Sequence, residues 1–286
     1  MQLALRIEVD TYRGTREGVP RLQEMLRRHG AQATFFVSLG ADRSGRRLFG
    51  KSPRVSLLEH YGIKTLLNGT LLPAPHIAHH CADILRRVRD EGFEVGCHEG
   101  LDWRDQVACR DAAWTRSQMQ AEVARFTEVF GEAPKAHAAP GWQMNRDALR
   151  LTQRLGFDYA SDTRGSHPFI PTWDAEIISC PQLPTTLPTL DELIGRDGHT
   201  LDNVAQHLLV LSMNPSATGH VFTLRAELEG GKWLPVFEQL LVGWKAQGYE
   251  LVSLRQYWQQ VKAALPRHEV KAGALAGRAG TVMIQA

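Results

Sequence analysis

The sequence predicts an α/β fold built as a single barrel, and three observations carry that prediction. Short apolar runs of strand length alternate with segments of helical period from residue 3 to about residue 264. Charged or polar side chains stand where the apolar runs end, which in parallel α/β folds is where ligands and reacting groups gather. Seven or eight β-then-α steps obey this one termination rule, and no internal sequence repeat divides them. The 286 residues, 43% hydrophobic and 22% charged, suffice for a large core.

The bulk numbers exclude several function classes. A formal net charge of +2 with both signs interspersed requires neither nucleic acid nor an anionic surface as partner. Two local basic clusters, Arg43 to Arg47 and Arg86 to Arg89, remain as places that meet phosphate or form solvated faces. Cys81, Cys97, Cys109 and Cys180 have neither CxxC spacing nor a regular framework, which predicts reduced thiols. Met1 leads directly into a strand without a leader, and no apolar run approaches the length of a membrane span. These features predict a cytoplasmic protein with at most peripheral membrane contact.

The first strand, Leu3 to Asp10, is apolar except for Arg6, Glu8 and Asp10. A period of two puts Glu8 and Asp10 on one face, where they suit a metal ligand beside a general base, or an acidic strand end paired with Arg6, Arg13 or Arg16. Val19, Leu22, Met25 and Leu26 repeat at helical spacing before His29-Gly30, and Ala33 to Ser38 makes the second strand. Strand, helix and strand form a right-handed parallel unit. Residues 39–75 lose periodicity, are punctuated by glycines and prolines including Gly50 and Pro53, and carry apolar pieces at Val55 to Leu58 and Leu66-Leu67. An insertion this long at a strand's carboxyl end is either a lid or binding loop, or a cap that only covers the barrel.

A helix from His76 to Asp90 leads to the strand Phe93 to Cys97 and to His98, on the same rim as Asp10. His76 and His80, at i, i+4 with His79 between them, either chelate a metal or form a polar helix surface. A helix from Ala112 to Phe130 precedes the short strand Lys135 to Ala139 and the turn Pro140-Gly141-Trp142, whose indole can wall a pocket. The helix Asn145 to Leu155 leads to the strand Phe157 to Ala160 and the polar exit Ser161 to Gly165, and a sixth strand is expected at Glu176 to Cys180. Pro181 to Pro184 is too proline-rich for a helix. A helix near Leu201 to Leu211, strand His220 to Arg225, helix Leu234 to Gln247, strand Tyr249 to Val252 and helix Leu254 to Ala264 complete the body. Beyond Pro266 the chain is rich in Gly and Ala, which predicts a barrel at 1–265 and a mobile tail at 266–286.

With strand-end groups Asp10, His98, Asp162 and Arg225 in this order, the chain resembles the polysaccharide deacetylase (NodB-homology) family. The matching stretches are Val9 to Pro20, Glu94 to His98, Ala139 to Trp142, Ser161 to Gly165, Leu187 to Asp197 and Ala226 to Gly230, spread over residues 3–260. The resemblance implies a distorted (β/α)7 barrel and a metal-dependent amide hydrolase that removes a formyl or acetyl group from an amino sugar. The stretches are most similar to the family's deformylases for a formamido-arabinose on undecaprenyl phosphate, which implies lipid A modification and polymyxin resistance. The implied partner is an amino-sugar phospholipid at the inner membrane, and the implied cofactor is a divalent metal such as zinc, manganese or cobalt.

Carried over residue by residue, Glu8 takes the base position, Asp10 the metal position and His98 that of the first histidine ligand. Asp162 and Arg225 complete the catalytic set, while Arg13, Trp142, Arg164 and Glu227 lie in the matching stretches as substrate contacts. Three positions depart from the family pattern. Glu8 replaces an aspartate, and a carboxylate displaced by about 1 Å costs on the order of 100-fold in rate. Asp102 stands where the second metal-binding histidine belongs, giving an Asp10-His98-Asp102 site, unless a deletion near Trp103-Arg104-Asp105 removed that position. Arg225 replaces the proton-donating histidine, and a guanidinium keeps its proton near neutrality while still able to hold an oxyanion or phosphate. The alternative function is therefore a homologue that binds the sugar-lipid or a protein partner without hydrolysis.

Overall fold

The first strand lies in the interior of the sheet, bonded along both edges. The computed structural model describes residues 1–49, 57–214 and 216–286. The strands in chain order are β1 (Gln2–Val9), β2 (Thr34–Val37), β3 (Glu94–Cys97), β4 (Ala136–His137), β5 (Tyr159–Ala160), β6 (Ile170–Trp173), β7 (Glu176–Ile177), β8 (His220–Arg225), β9 (Glu250–Val252), β10 (Arg267–Ala274) and β11 (Thr281–Gln285). The helices are α1 (Val19–Arg28), α2 (Leu57–Leu67), α3 (Ile77–Asp90), α4 (Leu101–Gln106), α5 (Ala112–Phe130), α6 (Arg146–Arg154), α7 (Leu190–Leu193), α8 (Val204–Ser212), α9 (Leu234–Ala246) and α10 (Leu254–Val261).

Seven strands form a parallel sheet in the order β5-β4-β3-β2-β1-β8, with β9 beside the first half of β1. The curved sheet is the predicted barrel left open as a half-barrel. Its gap is spanned by the segment Pro181 to Leu187. Leu183 donates to Ala160 (2.8 Å) on β5, and Thr186 donates to Val221 (3.0 Å) on β8. Proline deprives this segment of ladder donors, so it joins the edges through a few backbone bonds without becoming a regular strand.

Side-chain alternation on β1 sorts the two faces. Leu3, Leu5, Ile7 and Val9 are fully buried under the helices, and each contributes about 1.5–3 kcal/mol of apolar burial. Ala4 points the other way, into an inner cluster with Phe36, Tyr159, Val221, Leu254 and Tyr257. Arg6, Glu8 and Asp10 share this inner face by the same alternation. Helix ends follow their local chemistry: the Asp111 carboxylate accepts from Trp114 N (2.8 Å) to cap α5, and Gly131 ends it at φ +76°.

Two expectations are corrected here. The sixth barrel strand is instead the hairpin β6–β7, outside the parallel sheet, with Asp174 and Ala175 at φ +46° and +63° in its two-residue turn. That turn normally selects Gly or Asn, so nothing in its residues announces it. The chain beyond Pro266 is also ordered: β10 pairs antiparallel with β11 and parallel with β6. Val270 and Met283 anchor it in the core, and Gly273 is small because Ile284 crosses its backbone.

Of the insertion, Gly50, Pro53, Val55 and Ser56 lie outside the described residues. Asp42 holds its two ends together, accepting from Tyr12 N (2.9 Å), Ser44 N (3.0 Å) and Asn68 Nδ2 (3.1 Å). Helix α2 is kinked at Gly62, where φ is +75°. Among the described residues no helix is long and apolar enough to cross a membrane.

Candidate active site

The register of β1 against β8 sets Glu8 opposite Arg225 at the carboxyl ends of both strands. Arg6, two residues earlier on the same face, donates from Nη1 to Glu8 Oε1 (2.6 Å), and Arg225 donates from Nε to Glu8 Oε2 (3.2 Å). Burial alone would raise the Glu8 carboxyl, but Arg6 and Arg225 outweigh it and hold the group well below the usual carboxylate range. Arg6 is fully buried, with its guanidinium 5.5 Å from the Phe36 ring and 5.4 Å from that of Trp142. Of the arginines offered as partners for the acidic strand end, Arg6 takes Glu8 while Arg13 pairs with Glu17 (3.0 Å).

One step along β1, Asp10 Oδ1 lies 2.9 Å from Nε2 of His98, which follows β3. The other ring nitrogen, Nδ1, donates to the Ala138 carbonyl (2.6 Å), so Nε2 is the nitrogen turned toward Asp10. Burial would lower the His98 pKa, yet the hydrogen bond and charge of Asp10 raise it overall. The carboxylate of Glu227 braces the turn from behind, its Oε1 accepting from Asp10 N (3.1 Å), Thr11 N (2.8 Å) and Thr11 Oγ1 (2.8 Å). Burial, reinforced by Asp10, pushes this carboxyl up to about 8.

Donor atoms from Glu8, Asp10 and His98 lie within 4.8 Å of one another, all buried. Two carboxylates and an imidazole fixed through its far nitrogen are a donor set that suits a divalent transition metal. Glu8 must loosen from its two guanidiniums to join it; Asp10 and His98 already face one another.

Asp102 is not brought to this group. It lies in the first turn of α4, and its carboxylate meets Arg43 (3.0 Å) and Arg46 (3.8 Å) from the insertion. Asp162 is also placed elsewhere. Its Oδ1 accepts from His137 Nδ1 (2.8 Å) and Ala139 N (2.8 Å), and its Oδ2 from Gln182 Nε2 (3.1 Å). His137 lies on the helix-facing side of the sheet, as its pairing with Cys97 requires, and Nε2 donates to Glu99 (2.9 Å). Burial opposes the charge on His137, but Glu99 and Asp162 raise its pKa to about 10. His137 and Glu99 were not singled out in the sequence; His137 is visible there only as a polar residue inside a short apolar strand.

His76, His79 and His80 do not join the donors around Asp10. His76 stands just before α3 and stacks on His79 at 4.2 Å, while His79 and His80 line a separate cleft with Asp83, Arg86 and Glu128.

The remaining expected contacts fall into two places. Trp142, fully buried at φ +55°, is flanked by the guanidiniums of Arg164 (4.8 Å) and Arg278 (4.4 Å). Both arginines reach Glu192, at 2.7 Å and 2.6 Å, so Arg164 is packed away against Trp142 and Glu192. Arg278 comes from the C-terminal hairpin and has no warning in its Gly/Ala-rich surroundings. Asp191, inside one of the matching stretches, accepts from Arg225 Nη1 (2.8 Å), and charges on Arg225 and Arg278 outweigh burial to hold it at about 2. Arg13 and Glu227 line an open cleft beside Asp10.

Known proteins match this chain over much of its length. The polysaccharide deacetylase pattern matches residues 9–160. A Shewanella sediminis protein named as the 4-deoxy-4-formamido-L-arabinose-phosphoundecaprenol deformylase ArnD is 33% identical, covering 100% of this chain and 95% of its own. A Wigglesworthia glossinidia brevipalpis protein of the same name is 26% identical, covering 95% and 98%. A Mycobacterium smegmatis structure named as a polysaccharide deacetylase superposes with a TM-score of 0.66 at 18% identity, over 96% of this chain and 95% of that one. The pattern match over half the chain and the full-length relative lead to one conclusion: the chain belongs to the polysaccharide deacetylase family.

Proposed function

We propose that this chain removes an N-formyl group, or the closely related N-acetyl group, from an amino sugar carried on a polyprenyl phosphate at the inner face of a membrane. The observation that carries this reading is the convergence of Glu8, Asp10 and His98 at the carboxyl end of the sheet. The names of the two relatives supply the sugar and carrier, a formamido-arabinose on phosphoundecaprenol.

Asp10 and His98 would hold a divalent metal such as zinc, manganese or cobalt, with Glu8 as third donor. A metal in such a set lowers the pKa of its water and polarises the acyl carbonyl. Ala138 keeps His98 Nε2 directed at Asp10, and Glu227 fixes the backbone that presents Asp10. Arg225 stays protonated, so it steadies anionic charge beside Glu8 and does not deliver a proton to the leaving amine.

A second reading has one specific observation in its favour. Both Glu8 oxygens are taken by guanidiniums, and a carboxylate held so far below neutrality is a weak base. On that reading the chain binds the sugar-lipid without cleaving it. Metal content and release of a primary amine from an N-formyl amino sugar, measured on the wild type and Asp10→Ala, separate the two. Bound metal with amine release, both lost in Asp10→Ala, supports hydrolysis. Bound metal without amine release supports the second reading, and absence of both in the metal-supplemented wild type overturns the first.

A further inference from the structure

Two half-buried histidines meet where the C-terminal hairpin docks on the body of the protein. His167 lies in the bend before β6, and His268 lies on β10, which runs parallel to β6. Their Nε2 atoms are 3.1 Å apart, with the ring planes at 74°. Phe169 packs against His268 at a ring-centre distance of 5.9 Å. Neither histidine belongs to the group around Asp10.

The surrounding hydrogen bonds fix where each ring carries its proton. Gln285 Oε1 accepts from Ser166 N (2.8 Å) and Ser166 Oγ (3.3 Å), which turns the Gln285 Nε2 toward His167 Nε2 (3.1 Å). An amide nitrogen only donates, so His167 Nε2 is an acceptor and that ring's proton sits on Nδ1, which donates to Ser166 Oγ (2.8 Å). On His268, Nδ1 faces the Ala286 carbonyl oxygen (3.2 Å), which only accepts, so Nδ1 carries the proton there too. The two Nε2 atoms of the neutral pair therefore present lone pairs to one another.

Facing lone pairs at this distance repel unless a cation lies between them. A tetrahedral ion with bonds of about 2.0–2.1 Å holds two nitrogens about 3.3 Å apart, so the pair has to open only slightly to take one. Each imidazole is already anchored through its far nitrogen, as metal-binding histidines are. Burial, reinforced by His268, lowers the His167 pKa and keeps that ring a neutral donor. Two neutral nitrogens suit zinc, nickel or copper and not magnesium or calcium. Glu269, on the other face of β10, is paired with Lys271 (3.0 Å) and does not enter the set.

We propose that His167 and His268 hold one divalent transition metal of the zinc class between their Nε2 atoms, with water completing its shell. The Gln285 amide gives up His167 Nε2 when the ion enters. Bound there, the ion clamps β10 to the bend before β6. It thereby steadies the same C-terminal hairpin that brings Arg278 to the Trp142 ring and to Glu192.

Calorimetric titration of full-length Asp10→Ala with zinc chloride, at about pH 7.5 where imidazole is ordinarily neutral, tests this site apart from Asp10 and His98. One zinc equivalent is expected to remain in Asp10→Ala. Adding His167→Gln or His268→Gln, each at a part-exposed position, is expected to weaken that equivalent by at least about tenfold. Absence of zinc binding in Asp10→Ala, or affinity unchanged by either added substitution, overturns the shared ion. Nitrogen NMR of the imidazoles gives a readout independent of stoichiometry: zinc should move the Nε2 signals of both His167 and His268, and magnesium neither. A zinc shift at only one ring, or an Nε2–H on His268 in the metal-free chain, overturns the site in favour of a lone surface ligand or a plain hydrogen bond. Zinc kept here in Asp10→Ala without any amine release from the wild type leaves this inference standing and counts only against the hydrolase.

Discussion

Two buried histidine–carboxylate clusters sit on opposite faces of one sheet, and they differ in what each imidazole leaves for a ligand. His137, facing the helices, has both nitrogens bound to carboxylates, Asp162 and Glu99. It is a charge sealed inside the fold, with no atom turned to a visitor. His98, facing the inner side, spends Nδ1 on a backbone carbonyl and turns Nε2 toward Asp10. A neutral anchor on one nitrogen and a ligand-directed second nitrogen is the arrangement of a metal-binding imidazole. Burial alone does not separate the clusters, since both histidines are fully buried; the identity of the second partner does.

The largest expected effect tests the structural cluster. His137→Ala leaves Glu99 and Asp162 as adjacent buried acids without their cation, which should cost about 3–5 kcal/mol in chemical unfolding. Retained metal affinity in the folded variant would keep the clusters distinct; a matching loss of metal would merge them. His98→Ala is the converse, with metal affinity expected to fall by at least on the order of 100-fold in equilibrium dialysis. Unchanged affinity would remove His98 from the ligand set.

A smaller effect distinguishes the clusters by pH. The pKa of His137 is raised from 6.5 in the unfolded chain to about 10 when folded. Its stabilisation is complete below the unfolded value and is lost as pH rises through the folded one. Thermal midpoints followed by circular dichroism should therefore decline between pH 6.5 and pH 10 in the wild type. A flat profile over that window would show that His137 is not held as a cation. The smallest effect belongs to Asp102→Ala, expected to change stability by no more than about 1 kcal/mol because its ion pairs with Arg43 and Arg46 are near the surface. Its metal affinity should match the wild type, and a measurable drop would return Asp102 to the site.

These placements show where sequence reasoning reaches and where it stops. The strands of the parallel sheet and the positions of Glu8, Asp10 and His98 at their ends follow from apolar period and chain order. Asp162 ends a strand too, but Tyr159 on that strand points inward, and odd-even alternation then turns Asp162 outward to His137. Position along the chain identified the rim without identifying the face. Asp102 follows His98 at the spacing of a ligand pair, yet the chain between them leaves the strand and starts α4, which turns the side chain toward the insertion. The role of Arg278 depends on a hairpin docking more than a hundred residues beyond Arg164, and no local pattern encodes that meeting.

The interior position of β1 has a consequence for biosynthesis. Leu3 pairs with His220 and Leu251, more than two hundred residues later in the chain. At roughly 5–20 residues per second, the ribosome delivers these partners about 10–50 s after β1 emerges. During that interval β1 has an unsatisfied edge, and the acids Glu8 and Asp10 lack Arg225 and the β8 turn. Early docking of α1 and β2 on β1 would shorten the time in which this edge can pair with foreign sheets. Slow translation ahead of His220 would lengthen this exposure and lower the soluble yield.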